Sequence, residues 1–286
     1  MSTPAIAVLP YGLRLGSGLA QVALSELIWP LGSPDHLAGG RIGDLDRDDH
    51  LISFPSTDSH FQLRRGTRAR VSLILSEPSV IHAKHLALLR LSHRRFFRVL
   101  TFNEELLARI PNGVFFPRGT TRVPDWRDLT LEKTKMCSLI ASPKRESTGH
   151  KLRHAVAKWV QGRDLDVDIT GRGHAPIEQK FDGLAPYRFS VVMEDAQEAN
   201  YFSHKLVDAV LCDTVPIYWG CPNLERFFDV SGIIQCASEA DVRQAIERAS
   251  ETVYARHLPG LQAIKPVLEG YCDLERRAAI AVRDSL

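Results

Sequence analysis

Long apolar segments and paired cysteines are both missing from this sequence. No run reaches the roughly 18 uninterrupted apolar residues of a membrane-spanning helix, and the start of the chain lacks the basic residues and apolar stretch of a secretory signal. The five cysteines are scattered and never spaced as CxxC, which argues against a disulfide scaffold or a zinc ribbon. These absences predict a cytoplasmic protein without a transmembrane segment, and peripheral attachment to a membrane is an alternative left open.

An excess of charge of one sign is missing as well. The 36 Lys and Arg residues nearly balance the 34 Asp and Glu residues, which leaves a net charge of +2. This balance gives no reason to expect either nucleic acid or a membrane as the main partner. One local basic run, HRRFFR at residues 93–98, is interpreted as a solvated helix end that leads into a strand.

The two halves of the 286-residue chain differ in their patterns. Gly, Pro and Asp interrupt the first half repeatedly, and Arg70–Leu75 is its clearest strand, largely apolar as a buried parallel strand would be. From Met136 onward, strand patterns alternate with helical patterns. This alternation predicts a Rossmann-like parallel sheet, in which ligands bind at the carboxyl ends of the strands.

We therefore predict an α/β fold with two Rossmann-like domains that face a cleft. The predicted divisions are an N-terminal domain at residues 1–128, a second domain at 129–258, and a C-terminal helix at 259–286 that packs back on the first domain. A polar, proline-containing stretch at 118–135 is the expected connection between the two domains. The chain is long enough for each domain to bury a core.

The segment from Tyr187 to Asp229 carries the strongest local signal. It has the pattern of a strand, a polar loop that starts at Glu194, a helix with an apolar stripe, and a second strand. The start of a helix at the carboxyl end of a parallel strand is a favourable place for phosphate, and Lys205 in the first helical turn adds a cation there. A lysine at that position opposes the helix dipole, yet a solvated surface lysine explains the spacing equally well.

This segment resembles the donor-binding motif of the family 10 fucosyltransferases. The matching stretches are MEDA at 193–196, YFSHKL at 201–206 and TVPIYWG at 214–220. Upstream, SEP at 76–78 and VDITGR at 167–172 resemble two further motifs of the family, in the family's order. The resemblance covers residues 70–235, whereas residues 1–60 match no pattern.

The resemblance implies a bacterial-type, inverting α-1,3-fucosyltransferase of the two-domain GT-B architecture. The donor substrate would be GDP-fucose, a nucleotide sugar bound by the second domain. The acceptor would be an oligosaccharide or glycolipid bound by the first domain. Neither a metal ion nor another cofactor would be required, because cationic side chains can neutralise the leaving diphosphate.

The resemblance also implies roles for individual residues. Glu77 would be the catalytic base, and Arg153 and Lys205 would hold the donor diphosphate. The other residues implied at the donor site are Glu194, Tyr201 and His204. Without the resemblance, Glu77 is interpreted as a turn carboxylate before Pro78, and Arg153 as an arginine on a helix face.

Two departures from the family pattern lie at the predicted donor site. His204 stands where the family has Glu, and Asp195-Ala196 stands where it has Asn-Ser. A histidine can still donate or accept a hydrogen bond, but it lacks the negative charge of a carboxylate. Two alternatives therefore stay open: the same fold and mechanism with another nucleotide-sugar donor, or a catalytically silent module that binds nucleotide or glycan.

Two weaker patterns are typical of metal sites. Asp166 and Asp168 form D-x-D, but they lie in a predicted strand, whose alternation explains them. His82 and His85 are spaced as HxxH on a predicted helix, without a further ligand at metalloprotease spacing. We interpret these histidines as a surface pair and predict no metal site.

Overall fold

The computed structural model describes residues 4–171 and 175–286. The chain divides into two compact units: unit 1 comprises the chain up to Arg118 together with Asp273–Leu286, and unit 2 is Gly119–Cys272. Each unit contains one parallel β-sheet and its own buried core. The prediction of an α/β fold with two parallel sheets is confirmed. No helix within the described ranges is both long and apolar enough to cross a membrane.

Unit 1 is built around a sheet of five parallel strands that lie in chain order, β1-β2-β3-β4-β5. Its elements as far as the last strand are β1 (Ile6–Val8), β2 (His50–Ser53), β3 (Arg70–Leu75), α1 (Ser79–Ser92), β4 (Val99–Thr101), α2 (Glu104–Leu107) and β5 (Gly113–Phe115). Apolar side chains cover both faces of this sheet, as expected for parallel strands.

Strand β3 positions the first candidate residue. Every residue of β3 after Arg70 is buried, as the sequence predicts. The chain then turns through Glu77 and Pro78, and α1 begins at Ser79. Proline is tolerated at a helix start because its fixed φ and missing N–H cost nothing there. Glu77 therefore lies at the carboxyl end of β3.

Unit 2 is built around a second sheet of five parallel strands, in the order β10-β9-β8-β6-β7. Its elements are β6 (Lys135–Ala141), α3 (Thr148–Gln161), β7 (Val167–Gly171), β8 (Tyr187–Met193), α4 (His204–Leu211), β9 (Val215–Trp219), β10 (Ile234–Gln235), α5 (Glu239–Glu247) and α6 (Glu251–Glu269). The central strand is β8, so the loop after Met193 leaves the middle of the sheet at its carboxyl edge. Rossmann-like sheets bind ligands at this edge.

The C-terminal region contains two helices where the sequence predicted one helix over 259–286. Helix α6 ends at Glu269, and a separate helix, α7 (Leu274–Arg283), begins after a short break. Asp273 is the N-cap of α7, and its Oδ1 accepts a hydrogen bond from Arg276 N at 2.8 Å. An aspartate in this position favours a new helix start over continuation of α6.

The two units also differ from the predicted divisions at residues 128 and 258. Helix α6 packs against α4 and β9 and so belongs to unit 2. Helix α7 belongs to unit 1, where Ala278 and Val282 are buried against one face of the sheet. The chain therefore leaves unit 1 once and returns to it only for α7.

Candidate functional site

Glu194 directly follows β8 and is fully buried. Its Oε1 accepts a hydrogen bond from Ser203 N at 2.8 Å, and its Oε2 accepts one from Ser203 Oγ at 2.7 Å. Its backbone N–H donates to Trp219 O of β9 at 2.9 Å. A buried carboxylate requires such partners. Glu194 therefore fixes the start of α4 against the sheet, and its contact with a donor stays a prediction.

Helix α4 begins at His204, within the YFSHKL stretch at 201–206. Ser203 is its N-cap, and the Ser203 Oγ accepts a hydrogen bond from Lys205 N at 3.2 Å. His204 is the first helical residue and is 9% exposed, whereas Tyr201 is fully buried. Tyr201 is thus part of the packed interior of unit 2, and the donor contacts predicted for Tyr201 and His204 stay predictions.

The ammonium of Lys205 lies between two carboxylates. Its Nζ is 2.8 Å from Asp195 Oδ1 and 3.6 Å from Glu194 Oε2. Burial opposes ionisation of Asp195, but Lys205 and His150 hold the pKa of this carboxyl below its ordinary value. The unfavourable position of a lysine in the first helical turn is therefore offset by neighbouring negative charge. This arrangement explains Lys205 better than a solvated surface position does.

The start of α3 meets the same loop from the other side. Gly149 N donates to Asp195 O at 3.1 Å, and His150 Nε2 lies 3.3 Å from Asp195 Oδ1. A Cβ atom at position 149 would lie 1.7 Å from the backbone O of Glu194. Only glycine fits at this contact, because any side chain would push the helix away from the loop. Neither residue was predicted as part of the site, since α3 carries no family motif at its start.

Arg153 follows one turn later on α3 and is buried. Its Nη2 donates to Met193 O, the last carbonyl of β8, at 2.6 Å. Burial lowers the pKa of the Arg153 guanidinium, while the negative charges of Asp195 and Glu194 oppose that effect. Arg153 and Lys205 thus approach the same two carboxylates from different helices. The structure brings both predicted phosphate-binding cations to the carboxyl end of β8.

Asp208 is a buried acid on α4 that was not among the predicted site residues. Its Oδ1 accepts hydrogen bonds from Thr121 Oγ1 at 2.7 Å and from Arg122 N at 2.9 Å. Within the described part of the chain, Asp208 Oδ2 has no hydrogen-bond partner. Burial raises the pKa of Asp208 to about 6, and the nearby charge of Lys180 opposes the rise. A signal was available, because Asp208 lies away from the apolar stripe of α4, three residues after Lys205.

Lys180 adds a further cation to this region. Its side chain is partly buried in a single helical turn between β7 and β8. Burial lowers the pKa of its ammonium; Asp208 opposes this effect, whereas Arg122, Lys205 and Arg153 strengthen it. Three other cations of unit 2 therefore lie near enough to Lys180 to disfavour its charged form. No sequence signal marks Lys180, because it lies in a loop without periodicity.

Glu77, the predicted catalytic base, lies in unit 1. Its Oε2 is 2.5 Å from Arg118 Nη1, and the two side chains are 31% and 17% exposed. This ion pair holds the carboxylate in one orientation and leaves part of it open to solvent. The other five predicted site residues lie in unit 2.

The D-x-D pattern has a structural explanation. Asp168 Oδ2 accepts hydrogen bonds from Lys135 Nζ and Tyr187 OH, both at 2.7 Å. These partners lie on the neighbouring strand β6 and at the start of β8, so Asp168 links strands. Arg172, the last residue of the VDITGR match, lies outside the described residues.

His82 and His85 are partly buried and are not the surface pair that the sequence predicted. The His85 Nδ1 lies 2.9 Å from the Nε2 of His60, so these side chains join α1 to the turn at 58–60. Burial lowers the pKa of His60 and of His82 to about 4. Across 4–171 and 175–286, no group of three or more His, Cys, Asp or Glu has the geometry to hold a metal ion.

Sequence comparison gives one short match. No protein-family model matches the chain. Over 71 residues the chain is 28% identical to an α-(1,3)-fucosyltransferase of Helicobacter pylori. This match spans 25% of the present chain and only 15% of the length of that enzyme.

Solved structures of glycosyltransferases share the fold of this chain. An α1,3-fucosyltransferase crystallised with GDP-fucose has a TM-score of 0.52 at 16% identity, over 83% of this chain and 77% of that one. TarM of S. aureus, crystallised with UDP, has a TM-score of 0.56 at 10% identity, over 83% of this chain and 55% of TarM. A glycosyltransferase of Rickettsia africae has a TM-score of 0.54 at 10% identity, over 84% and 76%.

These similarities establish the fold. The chain has the α/β architecture with two parallel sheets that GT-B glycosyltransferases share. At identities of 10% to 16% the likeness carries no further information about chemistry. The neighbours themselves were crystallised with different nucleotides, GDP-fucose in one and UDP in another, so the fold alone does not select a donor.

Proposed function

We propose that this protein is an inverting glycosyltransferase of family 10 that transfers fucose from GDP-fucose to a hydroxyl group of a glycan. The observation that carries the proposal is the pair of cations, Arg153 and Lys205, at the carboxyl end of β8. Lys205 lies in the first turn of α4 and Arg153 reaches the end of β8 from α3, and two cations placed in this way suit a diphosphate. The short match to the H. pylori fucosyltransferase and the family motifs around Lys205 support fucose as the sugar.

The proposed reaction is a single displacement. The acceptor hydroxyl attacks the anomeric carbon of the donor from the face opposite the diphosphate, and its proton passes to the carboxylate of Glu77. The bond between the anomeric carbon and the phosphate oxygen breaks, and GDP leaves with the electron pair. Arg153 and Lys205 stabilise the negative charge that develops on the diphosphate. Two protein cations make a metal ion unnecessary in this mechanism.

The ion pair between Lys205 and Asp195 has a consequence for donor binding. A bound diphosphate would compete with Asp195 for the ammonium, because Lys205 already lies 2.8 Å from that carboxylate. Asp195 keeps the cation oriented while the site is empty, which lowers the entropy lost on binding. The Glu194 carboxylate is occupied by Ser203, so we assign it to holding the start of α4.

A different nucleotide sugar is the second candidate donor. His204, the first residue of α4, is largely buried where the family has a carboxylate. The loss of one negative charge at this position favours a donor with different hydroxyl contacts. The fold and the mechanism would be unchanged.

The proposal is tested by measuring GDP release from GDP-fucose by the purified protein, with and without a glycan acceptor. Lys205→Met should lower turnover by about 10²–10³, because one charge that stabilises the leaving group is lost. Glu77→Gln should lower transfer to the acceptor. The matched control is Lys158→Met, an exposed lysine on α3, which should leave turnover unchanged.

The outcomes separate the alternatives. If GDP-fucose is neither bound nor turned over while UDP- or dTDP-sugars are, the fucose proposal is wrong and the second candidate holds. If no nucleotide sugar is turned over but nucleotide still binds, the protein is a catalytically silent binding module. Equal turnover by Lys205→Met and the wild type would contradict the proposed donor site.

We further propose that the acceptor is an oligosaccharide or glycolipid and that the protein acts in the cytoplasm at a membrane surface. The glycan acceptor follows from the chemistry proposed above. The location is supported by positive charge and exposed apolar side chains on unit 1.

A further inference from the structure

Positive charge is concentrated in one stretch of unit 1. Between Ser59 and Asn103 there are nine Lys or Arg residues and a single acidic residue, Glu77, although the whole chain has a net charge of only +2. The remaining sequence is therefore net negative. The basic residues of the stretch are Arg64, Arg65, Arg68, Arg70, Lys84, Arg90, Arg94, Arg95 and Arg98.

The same stretch exposes large apolar side chains. Leu63 is 91% exposed, Leu91 is 88% exposed and Phe61 is 62% exposed. A single exposed leucine needs no explanation. Apolar side chains that project from a strongly basic surface do need an explanation, since contact with water is unfavourable for each of them relative to burial.

Hydrogen bonds join the loop at 61–68 to the end of α1. Arg95 Nη2 donates to Gln62 O, and Arg65 Nη1 donates to Arg95 O at 2.6 Å. The exposed residues of the loop and of the helix end therefore lie in adjacent segments of the surface. We call this surface the basic–apolar face. Its members are Phe61, Leu63, Arg64, Arg68, Leu91 and Arg94.

The charges beneath this face repel one another. Burial and the neighbouring charge of Arg95 lower the pKa of the Arg65 guanidinium. Both side chains donate to backbone carbonyls. Among the ion pairs of the described residues, none joins Arg64, Arg68 or Arg94 to a carboxylate. An anionic partner would relieve this repulsion without displacing any internal ion pair.

We propose that the basic–apolar face docks on a membrane surface that contains anionic lipids. Phe61, Leu63 and Leu91 would enter the boundary between headgroups and acyl chains, while the arginines contact lipid phosphates. A soluble polyanion would satisfy the arginines but would leave the three apolar side chains in water. The combination of both features favours a bilayer.

The experiment is co-sedimentation of the full chain with phosphatidylcholine vesicles prepared with and without phosphatidylglycerol. We expect binding to the anionic vesicles only, and weaker binding at about 1 M salt, where the Debye length is about 3 Å. Arg64→Gln with Arg94→Gln should lower the partition coefficient about 25-fold, since each basic residue contributes about 1 kcal/mol. Leu63→Ser with Leu91→Ser should also weaken binding. All variants should keep the wild-type melting temperature, because these side chains are exposed.

The matched control is Arg248→Gln with Val267→Ser, an exposed arginine and a 46% exposed valine in unit 2, and it should bind as the wild type does. Three results would overturn the proposal: no binding to anionic vesicles, equal binding to both kinds of vesicle, or wild-type binding by the arginine variant. Unchanged vesicle binding by the leucine variant, together with binding to dextran sulfate, would identify a polyanion site instead and would also overturn it. The inference deepens the proposed location and is independent of donor chemistry, because no turnover is measured.

Discussion

At the scale of single residues, the candidate donor site depends on how closely two backbone segments approach at Gly149. The amide of Gly149 donates to Asp195 O, and this contact sets the distance between α3 and the loop that follows β8. Arg153 lies one turn further along α3 and donates to the last carbonyl of β8. The position of a proposed phosphate-binding cation therefore follows from the absence of a side chain at residue 149.

Gly149→Ala is expected to destabilise unit 2 by about 1–3 kcal/mol, the range for overpacked sites. The new Cβ would lie 1.7 Å from Glu194 O, so α3 or the loop must move. The urea midpoint of unfolding measures the loss. Gly162→Ala at the opposite end of α3 is the control, because its nearest neighbour would be 3.8 Å away. Its stability should change by less than about 1 kcal/mol. Equal effects of the two substitutions would contradict the close approach described here.

Some residues of the site were predictable from sequence and others were not. Lys205 was predictable because it lies next to a helix start inside a motif, and the structure supplies its partner, Asp195, from the same motif. Gly149 and His150 were not, because their contact with Asp195 joins residues far apart in the chain. Lys180 carried no pattern at all. Tertiary contacts of this kind leave no periodicity in a sequence.

At the scale of elements, the start of α4 is held in place by hydrogen bonds that centre on Ser203. Ser203 caps the helix and also donates two hydrogen bonds to the buried carboxylate of Glu194. One hydroxyl therefore serves the helix and a buried charge together. Ser250 also caps a helix, at the start of α6, but it lies at a partly exposed position and is used here as a cap alone.

Ser203→Ala is expected to lower the free energy of unfolding by about 2–4 kcal/mol. The helix loses its cap, and one oxygen of Glu194 loses its hydroxyl donor while still buried. Ser250→Ala removes a cap alone and should cost about 1 kcal/mol. Urea denaturation, monitored by circular dichroism, measures the free energy of unfolding of both variants. If Ser250→Ala is the more damaging variant, the assigned role of Ser203 is wrong.

The elements of unit 2 could be read from sequence far better than those of unit 1. Strand and helix patterns alternate regularly after residue 135, and as far as β10 the structure has its strands and helices in the same order. In unit 1, β1 has three residues and β2 has four, and their partners in the sheet are distant in sequence. Strands this short give too few positions for an apolar pattern to show, which is why residues 1–60 gave no prediction.

At the scale of the whole molecule, the two units contain buried groups that respond to acid in opposite directions. In unit 1, burial lowers the pKa of His50 and of His60 to about 4. Below about pH 6.5 these histidines would gain protons only in the unfolded chain, so the stability of unit 1 should fall as the pH drops towards 4. In unit 2, the pKa of Asp208 is about 6. The folded state takes up that proton first, so this group stabilises unit 2 as the pH falls below about 6.

Acidification from pH 7.5 to pH 5 is therefore expected to destabilise unit 1 more than unit 2. Each of the two buried histidines contributes on the order of 3 kcal/mol over its full titration. Hydrogen exchange of peptides from each unit, measured across a urea series at both pH values, separates the two responses. Asp208→Asn removes the group that stabilises unit 2 in acid. The loss of stability between pH 7.5 and pH 5 should therefore become more similar in the two units. Earlier loss of protection in unit 2 at pH 5 would contradict the prediction.

The return of the chain to unit 1 for α7 has a consequence for the order of events during synthesis. Domains generally fold as they leave the ribosome, beginning with the N-terminal one. Here one face of the unit 1 sheet is covered by Ala278 and Val282, which are translated after all of unit 2. Unit 2 can therefore complete its core first. Until α7 has been made, apolar residues of unit 1 such as Ile6 and Val8 lack the side chains that bury them in the folded protein. That interval is when the nascent chain would most depend on a chaperone.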